Sequence, residues 1–373
     1  MKKRIGITGQ NGFLGYHLYH QLKNLYEEFE LVEFNSVFFK DNEKLDSFVR
    51  KCDVIVHLAA VNRHESQEQL YEINCSLTNS LIGALERTNS KPHVLISSST
   101  QEGKENFYGE SKKKSRNLLS RWAINNDAHF SGLLIPNVFG PFSKPFYNSV
   151  IATFCYQLVN GHKPKIEIDG QLNLIYVGDL VNEIIHLIKN SDNSHTYNIR
   201  AVSTQKVSEI LADLNNFREL YFLSGEIPEL NSKYKVQLFN TFRSFIDIKN
   251  YYPKQLTAHK DHRGVFVEII RHGISGQTSY SSTLPGITRG NHFHTRKVER
   301  FAVIKGKALI QLRKIGAEEV FNFELDGDNA SFVDMPVWYT HNIKNIGKGE
   351  LITVFWINEL FDSKDPDTYF EIV

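Results

Sequence analysis

A chain of 373 residues exceeds what one hydrophobic core usually organises, so we expect two domains, or one large and one small. Its 41% hydrophobic and 23% charged residues are typical of a folded globular protein and argue against disorder. With 43 basic against 42 acidic residues, the chain has no net field that would attract nucleic acid or an anionic membrane. We therefore expect neither as a partner.

The three cysteines, Cys52, Cys75 and Cys155, fit neither a disulfide framework nor a zinc cluster, which favours a reducing cytoplasm. The basic start of the chain leads into a short strand and a glycine loop rather than the apolar region of a signal peptide. The longest apolar stretches fall well short of the ~20 residues needed to cross a bilayer. The sequence thus predicts a cytoplasmic protein without a membrane span.

The first half alternates short β-branched runs with longer segments of helical periodicity, such as Tyr16–Leu25 and Leu70–Glu86. This alternation predicts βαβ units wound into a Rossmann-type, doubly wound parallel sheet of the α/β class. The runs that read as buried strands are Ile5–Thr8, Leu31–Phe34, Val54–Leu58, Val94–Ser98 and Gly132–Pro136.

From about Asp261 the runs become short, alternating and separated by Gly, Asn and Asp, which predicts an all-β barrel. We place the junction near residues 245–258, where the run Asn250–Pro253 interrupts the pattern. The predicted domains are residues 1–250 and residues 251–373.

A glycine-rich turn follows the first predicted strand and opens a helix. Gly9, Gly12 and Gly15 are spaced GxxGxxG, which lets the backbone approach a pyrophosphate while the helix N-terminus supplies N–H donors. In this context the triplet predicts a dinucleotide site, with Phe13 and Leu14 among its cofactor-binding residues.

Residues 53–60, Asp-Val-Ile-Val-His-Leu-Ala-Ala, resemble the strand that closes over the adenine in extended short-chain dehydrogenases. The resemblance implies that Asp53 accepts from the adenine amino group and that Ala59 and Ala60 leave room for the cofactor. The alternative is a buried strand with a capping Asp. The second strand ends without the acidic residue that usually binds the NAD ribose, which favours NADP(H).

Tyr108 and Lys112 supply the YxxxK spacing of the same superfamily, after the fourth predicted strand. On a helix they share a face one turn apart. A tyrosine near pKa 10 is a poor proton donor or base unless a neighbouring cation lowers that pKa, and we expect Lys112 to do so. By resemblance, Ser99 binds the substrate carbonyl, Tyr108 donates the proton and Lys112 also holds the nicotinamide ribose. Asn74 matches the family as well.

Two histidine-containing segments in the second half, residues 290–299 and 336–345, resemble the paired motifs of cupin barrels. Residues two apart on a strand share a face, so His292 and His294 can both point into the barrel. Glu299 and His341 would complete the ligand set. Three imidazoles and a carboxylate suit one divalent ion of zinc, iron, manganese or nickel, with zinc favoured for a Lewis-acid role.

Residues 261–268, Asp-His-Arg-Gly-Val-Phe-Val-Glu, resemble the opening of the 4-keto deoxysugar 3,5-epimerases, which are cupins. In those enzymes the equivalent of His292 is the base. A metal-bound imidazole cannot also accept a proton, so we expect another group to move the C3 proton. Lys297, His262 and Tyr339 are the candidates.

The whole chain resembles a family of bifunctional capsular-polysaccharide enzymes that act on the way to UDP-N-acetyl-L-fucosamine. The resemblance implies UDP-2-acetamido-2,6-dideoxy-β-L-arabino-hexos-4-ulose as substrate. It further implies C3 epimerisation by the cupin, NADPH-dependent C4 reduction to UDP-N-acetyl-L-talosamine, and a homodimer.

Two alternatives remain open. In the first, a monofunctional 4-keto-sugar reductase carries a structural or sensory cupin. In the second, the chain is a nucleotide-binding regulator that retains the fold without catalysis. The three hypotheses differ in whether the barrel exchanges the C3 proton and whether Tyr108 is needed for turnover.

Overall fold

A computed structural model describes residues 2–191, 193–261, 264–267, 269–270, 276–359 and 362–373. The chain forms two compact units. The first comprises Met1–Phe139, Ser143–Thr153 and Gly170–Lys206, and the second comprises Gly140–Phe142, Phe154–Asp169 and Val207–Val373.

The elements of the first part of the chain are β1 (Lys3–Thr8), α1 (Phe13–Asn24), β2 (Phe29–Val32), α2 (Asn42–Lys51), β3 (Val54–His57), α3 (Gln67–Thr88), β4 (His93–Ser99), α4 (Phe107–Asn126), β5 (Phe130–Ile135), β6 (Asn137–Phe139), α5 (Val150–Val159), β7 (Gln171–Tyr176), α6 (Val177–Asn190), β8 (Ser194–Asn198) and β9 (Ser203–Lys206). The later elements are α7 (Val207–Asn216), α8 (Lys233–Arg243), α9 (Ile248–Tyr251), β10 (Lys254–Gln255), β11 (Ala258–Asp261), β12 (Gly264–Val267), β13 (Gln277–Thr283), β14 (Thr288–Phe293), β15 (Glu299–Lys305), β16 (Lys307–Lys314), β17 (Val320–Asp326), β18 (Ser331–Met335), β19 (Tyr339–Asn345), β20 (Leu351–Ile357) and β21 (Tyr369–Phe370).

Six parallel strands form the main sheet of the first unit, in the order β2-β1-β3-β4-β5-β8. Strands β3 and β4 are buried along their whole length, as expected when helices cover both faces. The chain leaves β1 toward β2 on one side and returns to β3 on the other. A crevice for a ligand opens at such a switch point, outside the carboxyl ends of the strands.

Alternate residues of these strands enter two separate apolar clusters. Val54 and Val56 pack with Leu18 of α1 and Ile184 of α6, whereas Ile55 packs on the opposite face among residues of α2, α3 and α4. This period of two is the physical basis of the sheet's two covered faces. The predicted Rossmann-type parallel sheet is therefore confirmed.

The second strand lies two residues earlier than predicted. Phe34, the last residue of the predicted strand, instead packs its ring against Phe38 and Phe48. Asn35 then caps a short 3₁₀ turn, because its side chain accepts from the Val37 N–H. The apolar residue therefore belongs to the turn that follows β2 rather than to the strand.

Two five-stranded sheets form the barrel of the second unit, in the orders β10-β18-β15-β20-β13 and β17-β16-β19-β14-β21. Their pairings are antiparallel. This confirms the predicted all-β cupin-type barrel. The helical segment that begins at Val207 belongs to the same compact unit, and the division of activities at residues 250 and 251 stays a prediction.

A buried ion pair between two barrel strands is hydrogen bonded to this helical segment. Arg300 of β15 donates from Nε and Nη2 to the Asp334 carboxylate at 2.8 and 3.0 Å, and Tyr221 donates to the same carboxylate at 2.7 Å. Arg243 of α8 in turn donates to the Tyr221 hydroxyl at 3.2 Å. A buried carboxylate is tolerated only when its lone pairs are satisfied in this way. The network therefore fixes β15 beside β18.

Within the described residues, no helix combines the length and hydrophobicity that a membrane span requires. Cys52, Cys75 and Cys155 carry free thiols.

His57 provides a test of the packing of the first unit. Its Nδ1 lies 2.8 Å from the Thr8 hydroxyl, and burial lowers the pKa of its ring to about 3, with Lys112 acting in the same direction. The unfolded chain binds a proton there near pH 6.5. The free energy of unfolding should thus fall as pH drops through this window, by about 1.4 kcal/mol per pH unit.

Denaturant titrations near pH 7 and near pH 5 measure this contribution when wild type is compared with His57→Gln. The variant should lose less stability on acidification, because glutamine has no proton to bind. Equal losses in both proteins would show that His57 is not the group responsible.

Candidate functional site

In the glycine loop, backbone atoms approach one another so closely that a side chain on Gly9 or Gly15 would not fit. Gly9 has a φ of +80°, a conformation that glycine adopts without strain. A Cβ at Gly15 would lie 2.2 Å from the Gly9 carbonyl oxygen, and a Cβ at Gly9 would lie 2.9 Å from the Ala59 nitrogen. Gly9, Gly15 and Ala59 therefore meet at the carboxyl edge of the sheet.

The N-terminus of α1 faces this edge. Gly12 is its N-cap residue, and among the described residues no side chain caps the helix. The first N–H groups of a helix have no partner inside it, so those of Phe13, Leu14 and Gly15 suit an anion. Ala60 follows Ala59 in the segment that leaves β3. The structure thus brings together the predicted cofactor residues of the loop and of this segment.

Asn74 of α3 positions the segment after β3. Its side chain accepts from the Val61 N–H at 2.7 Å and donates to the Val61 carbonyl at 3.0 Å. It also donates to the Ser111 hydroxyl on α4 at 3.0 Å. The buried amide therefore ties the edge of the dinucleotide loop to the helix that carries Tyr108 and Lys112, which gives the family match at Asn74 a physical role.

Asp53 does not lie with the other predicted cofactor residues. It precedes β3, and the parallel register that pairs Thr8 with His57 places it at the amino end of the sheet, away from the glycine loop. There its carboxylate accepts from the N–H, Nε and Nη2 of Arg4 at 2.7–3.1 Å. We correct the expected adenine contact accordingly and leave Asp53 out of the cofactor site.

Ser99, Tyr108 and Lys112 converge at the carboxyl end of β4. Ser99 is the last residue of that strand, and its side chain is hydrogen bonded to Tyr108. Lys112 lies one turn along α4, with its Nζ 5.9 Å from the centre of the Tyr108 ring. The ammonium donates to the Ser97 carbonyl at 3.0 Å, which holds it in this position.

The protonation states of this group differ from the expectation. Burial raises the pKa of Tyr108 to about 12; Tyr147 acts in the same direction and the Ser99 hydrogen bond opposes it. Burial lowers the pKa of Lys112 to about 8, against an opposing effect of Glu102. The pKa of Tyr108 therefore lies above its ordinary value rather than below it as expected. At neutral pH Tyr108 carries its proton and Lys112 is charged, a pairing that suits proton donation.

The four predicted metal ligands converge inside the barrel. His292 on β14 lies opposite His341 on β19, His294 follows β14, and Glu299 opens β15 of the other sheet. One ligand atom from each residue lies within 4.8 Å of the others. Glu299 Oε2 is 3.1 Å from His294 Nε2 and 3.3 Å from His341 Nε2.

These contacting atoms are what a metal site requires. The Nε2 atoms of His294 and His341 and Oε2 of Glu299 are buried and make no hydrogen bond within the described chain. Leaving such atoms unpaired costs about 1–3 kcal/mol each, yet the fold directs them at one another. A carboxylate and imidazole nitrogens match the donors that divalent transition metals accept, so the residues fit the predicted ion.

The charges in this cluster agree with that fit. Burial by itself would raise the pKa of Glu299, but contacts with His294 and His341 outweigh burial and lower this pKa. Burial lowers the pKa of His292 to about 4, so its ring is neutral near pH 7. The cluster thus offers an ionised carboxylate and a neutral imidazole.

The three candidate groups for the C3 proton differ in position. Tyr339 lies two residues before His341 on β19 and shares its face, and burial raises the pKa of its hydroxyl to about 12. Lys297 is buried and donates from Nζ to the Pro366 carbonyl at 2.7 Å. His262 lies outside the described residues.

Two family profiles match the two halves of the chain. Residues 5–199 match the NAD dependent epimerase/dehydratase family, and residues 259–369 match the polysaccharide biosynthesis C-terminal domain. The chain belongs to the NAD dependent epimerase/dehydratase family, with the second domain fused to it, and is an enzyme of the nucleotide-sugar reductase and epimerase type.

Two relatives match nearly the whole chain. UDP-2-acetamido-2,6-beta-L-arabino-hexul-4-ose reductase of Pseudomonas aeruginosa is 31% identical over 98% of each protein. The crystal structure of the capsular polysaccharide assembling protein CapF from Staphylococcus aureus is 34% identical, covering 99% of this chain and 100% of that one, with a TM-score of 0.64. These matches confirm the predicted resemblance.

A second solved structure, RMD from Pseudomonas aeruginosa complexed with NADPH, is 21% identical. It covers 59% of this chain and 82% of its own, with a TM-score of 0.53, and so shows the fold alone.

The metal cluster predicts that the purified protein binds one equivalent of Zn²⁺ and that Glu299→Gln binds it more weakly. Loss of a residue that only hydrogen bonds to a metal ligand lowers metal affinity about 10–100-fold. Loss of the charge of the ligand itself should lower Zn²⁺ affinity at least as much. Competition with a chromophoric chelator measures the affinity. His186→Ala, an exposed histidine on α6, is the matched control and should bind as wild type does. Equal affinity in Glu299→Gln would exclude this cluster as the zinc site.

Proposed function

We propose that the chain is a bifunctional nucleotide-sugar enzyme. The barrel epimerises C3 of UDP-2-acetamido-2,6-dideoxy-β-L-arabino-hexos-4-ulose, and the N-terminal domain then reduces C4 with NADPH to UDP-N-acetyl-L-talosamine. The observation that carries the proposal is that one chain holds both the Ser99–Tyr108–Lys112 group and a buried four-ligand cluster. The name of the Pseudomonas relative, a reductase of a UDP-linked hexulose, supports this substrate class.

In the reduction, the side chains of this chain supply the proton. Ser99 donates a hydrogen bond to the C4 carbonyl oxygen, and Tyr108 transfers its hydroxyl proton to that oxygen as negative charge develops there. The buried Lys112 ammonium stabilises the resulting tyrosinate and would hold the nicotinamide ribose. The nicotinamide, when bound, supplies hydride to C4.

In the epimerisation, the C4 carbonyl makes the C3 proton acidic because it delocalises the charge left at C3. His292, His294, Glu299 and His341 would hold the metal, which supplies Lewis acidity toward that carbonyl. Tyr339 is protonated at neutral pH and suits return of a proton to C3. Lys297 is engaged with Pro366, so His262 is our candidate for removing the proton.

The two reactions belong together chemically. The C3 proton is acidic only while C4 is a ketone, and reduction removes that acidity. Reduction after epimerisation therefore fixes the configuration at C3.

The cofactor and assembly proposals follow from the sequence, the proposed chemistry and the family resemblance. NADP(H) is favoured over NAD because the segment Glu33-Phe34-Asn35 after β2 ends in Asn35, where NAD-binding proteins usually have an acid. Zinc is favoured because the proposed role is Lewis acidity rather than redox. The assignment of residues 1–250 to reduction and 251–373 to epimerisation, the cytoplasmic location and the homodimer follow the family resemblance.

Tyr108→Phe tests the reductase. The variant should lose roughly 10²- to 10⁴-fold in kcat for NADPH oxidation with the 4-keto sugar, because the proton donor is gone, while NADPH affinity stays unchanged. Tyr19→Phe is a matched control, because Tyr19 and Lys23 repeat the YxxxK spacing within α1. Unchanged turnover in Tyr108→Phe would favour a non-catalytic regulator.

Proton exchange tests the epimerase. Incubation of the 4-keto sugar in deuterated water without NADPH should place deuterium at C3, detected by NMR, in wild type and in Tyr108→Phe. His292→Ala, or removal of the metal by a chelator, should abolish exchange while leaving NADPH binding intact. Absence of deuterium in the zinc-loaded wild type would instead support a reductase with a structural or sensory barrel.

A further inference from the structure

The C-terminal segment, residues 362–373, runs beside the metal cluster. Its strand β21 pairs with β14, placing Phe370 opposite His292 and Tyr369 opposite Phe293. The Tyr369 and Phe293 rings stack with centroids 5.2 Å apart. The segment is therefore hydrogen bonded to the strand that carries the first two ligands.

Asp367 of this segment contacts one of the ligands, His294. It is buried, with 3% of its surface exposed, and its main-chain oxygen lies 2.6 Å from His294 Nδ1. Its carboxylate accepts from the N–H groups of Thr295, Arg296 and Lys297 at 3.0–3.1 Å. It also accepts from the Thr295 hydroxyl at 2.6 Å. One side chain thus accepts hydrogen bonds from the three successive N–H groups that follow His294.

The carbonyl contact determines which His294 nitrogen is free. A carbonyl oxygen only accepts, so the hydrogen of the neutral ring lies on Nδ1 and the lone pair lies on Nε2. Nε2 is the buried atom 3.1 Å from Glu299 Oε2. Asp367 therefore presents His294 in the tautomer that a metal requires.

The carboxylate determines the path from His294 to Glu299. The turn at residues 295–297 joins these two ligands, and the Asp367 side chain fixes its N–H groups. Lys297 adds a second anchor through its bond to the Pro366 carbonyl at 2.7 Å. Without the carboxylate, three buried or half-buried N–H groups would lose their acceptor, and the turn would be free to move.

The backbone of Asp367 restricts which residue can do this. Its φ is +41°, in the left-handed region where Asp and Asn are the usual non-glycine occupants. Asparagine can therefore keep both the conformation and an acceptor oxygen, whereas alanine loses the acceptor and is strained.

We propose that Asp367 is a positioning residue for the metal centre, which sets the tautomer of His294 and the geometry between His294 and Glu299. The inference rests on the proposed function and deepens it. Ligating histidines commonly donate their second N–H to a carbonyl or carboxylate, and loss of such a partner lowers metal affinity about 10–100-fold.

The test measures metal binding rather than turnover, in the full chain. Zn²⁺ affinity is obtained by chelator competition, and ligand geometry from the visible absorption of the Co²⁺-substituted protein. Asp367→Ala keeps the main-chain oxygen that faces His294 but removes the carboxylate, so the turn between His294 and Glu299 loses its acceptor. This variant should weaken Zn²⁺ binding about 10–100-fold and shift the Co²⁺ bands. Asp367→Asn keeps the backbone conformation and one of the two acceptor oxygens, so it should fall between wild type and Asp367→Ala in both. Asp362→Ala is the matched control, because this exposed Asp of the same segment accepts from the Lys364 N–H and should bind Zn²⁺ normally.

Wild-type affinity and an unshifted Co²⁺ spectrum in Asp367→Ala would overturn the inference and leave the proposed function standing. Failure of the wild type itself to bind Zn²⁺ would instead count against the proposed function. If Asp367→Ala does not fold, Asp367→Gly carries the same expectation, because it keeps the left-handed conformation and lacks only the carboxylate.

Discussion

A carboxylate buried among three imidazoles is the interaction on which the barrel depends. Glu299 comes from one sheet and His292 and His341 from the other, so the two sheets meet at this cluster. A buried carboxylate without compensation costs several kcal/mol, and each neighbouring element offsets part of that cost. The ion pair of Arg300 with Asp334 joins β15 to β18. The Asp367 carboxylate accepts from the N–H groups of the turn before Glu299.

The first unit handles a buried charge in a different way. Lys112 loses most of its contact with water and retains a hydrogen bond to a carbonyl at the end of β4. Burial therefore acts on both members of the pair, lowering the pKa of the lysine and raising that of Tyr108. The site keeps a proton on the phenol and a charge beside it, which is the arrangement a ketone reduction needs at its start.

The sequence predicted the features that depend on local spacing. The glycine triplet and the YxxxK pair are short-range patterns, the four barrel ligands lie in two short motifs, and the fold brings each set together. The position of Asp53 could not be read from a resemblance in residue letters, because its role depends on which end of β3 it occupies. The pKa of Tyr108 depends on burial, which is a tertiary property. Asp367 gave no signal at all, because its partner His294 is 73 residues away in the chain.

The ion pair of Arg300 with Asp334 determines which part of the chain must accompany the barrel when it is produced as a separate fragment. A fragment starting at residue 251 would lack Tyr221, Arg243 and the Gly225 carbonyl that also accepts from Arg300. Water would then reach the Asp334 carboxylate and compete with the arginine one residue from Glu299. We therefore expect an excised barrel to keep this carboxylate dry only when the preceding helices are excised with it.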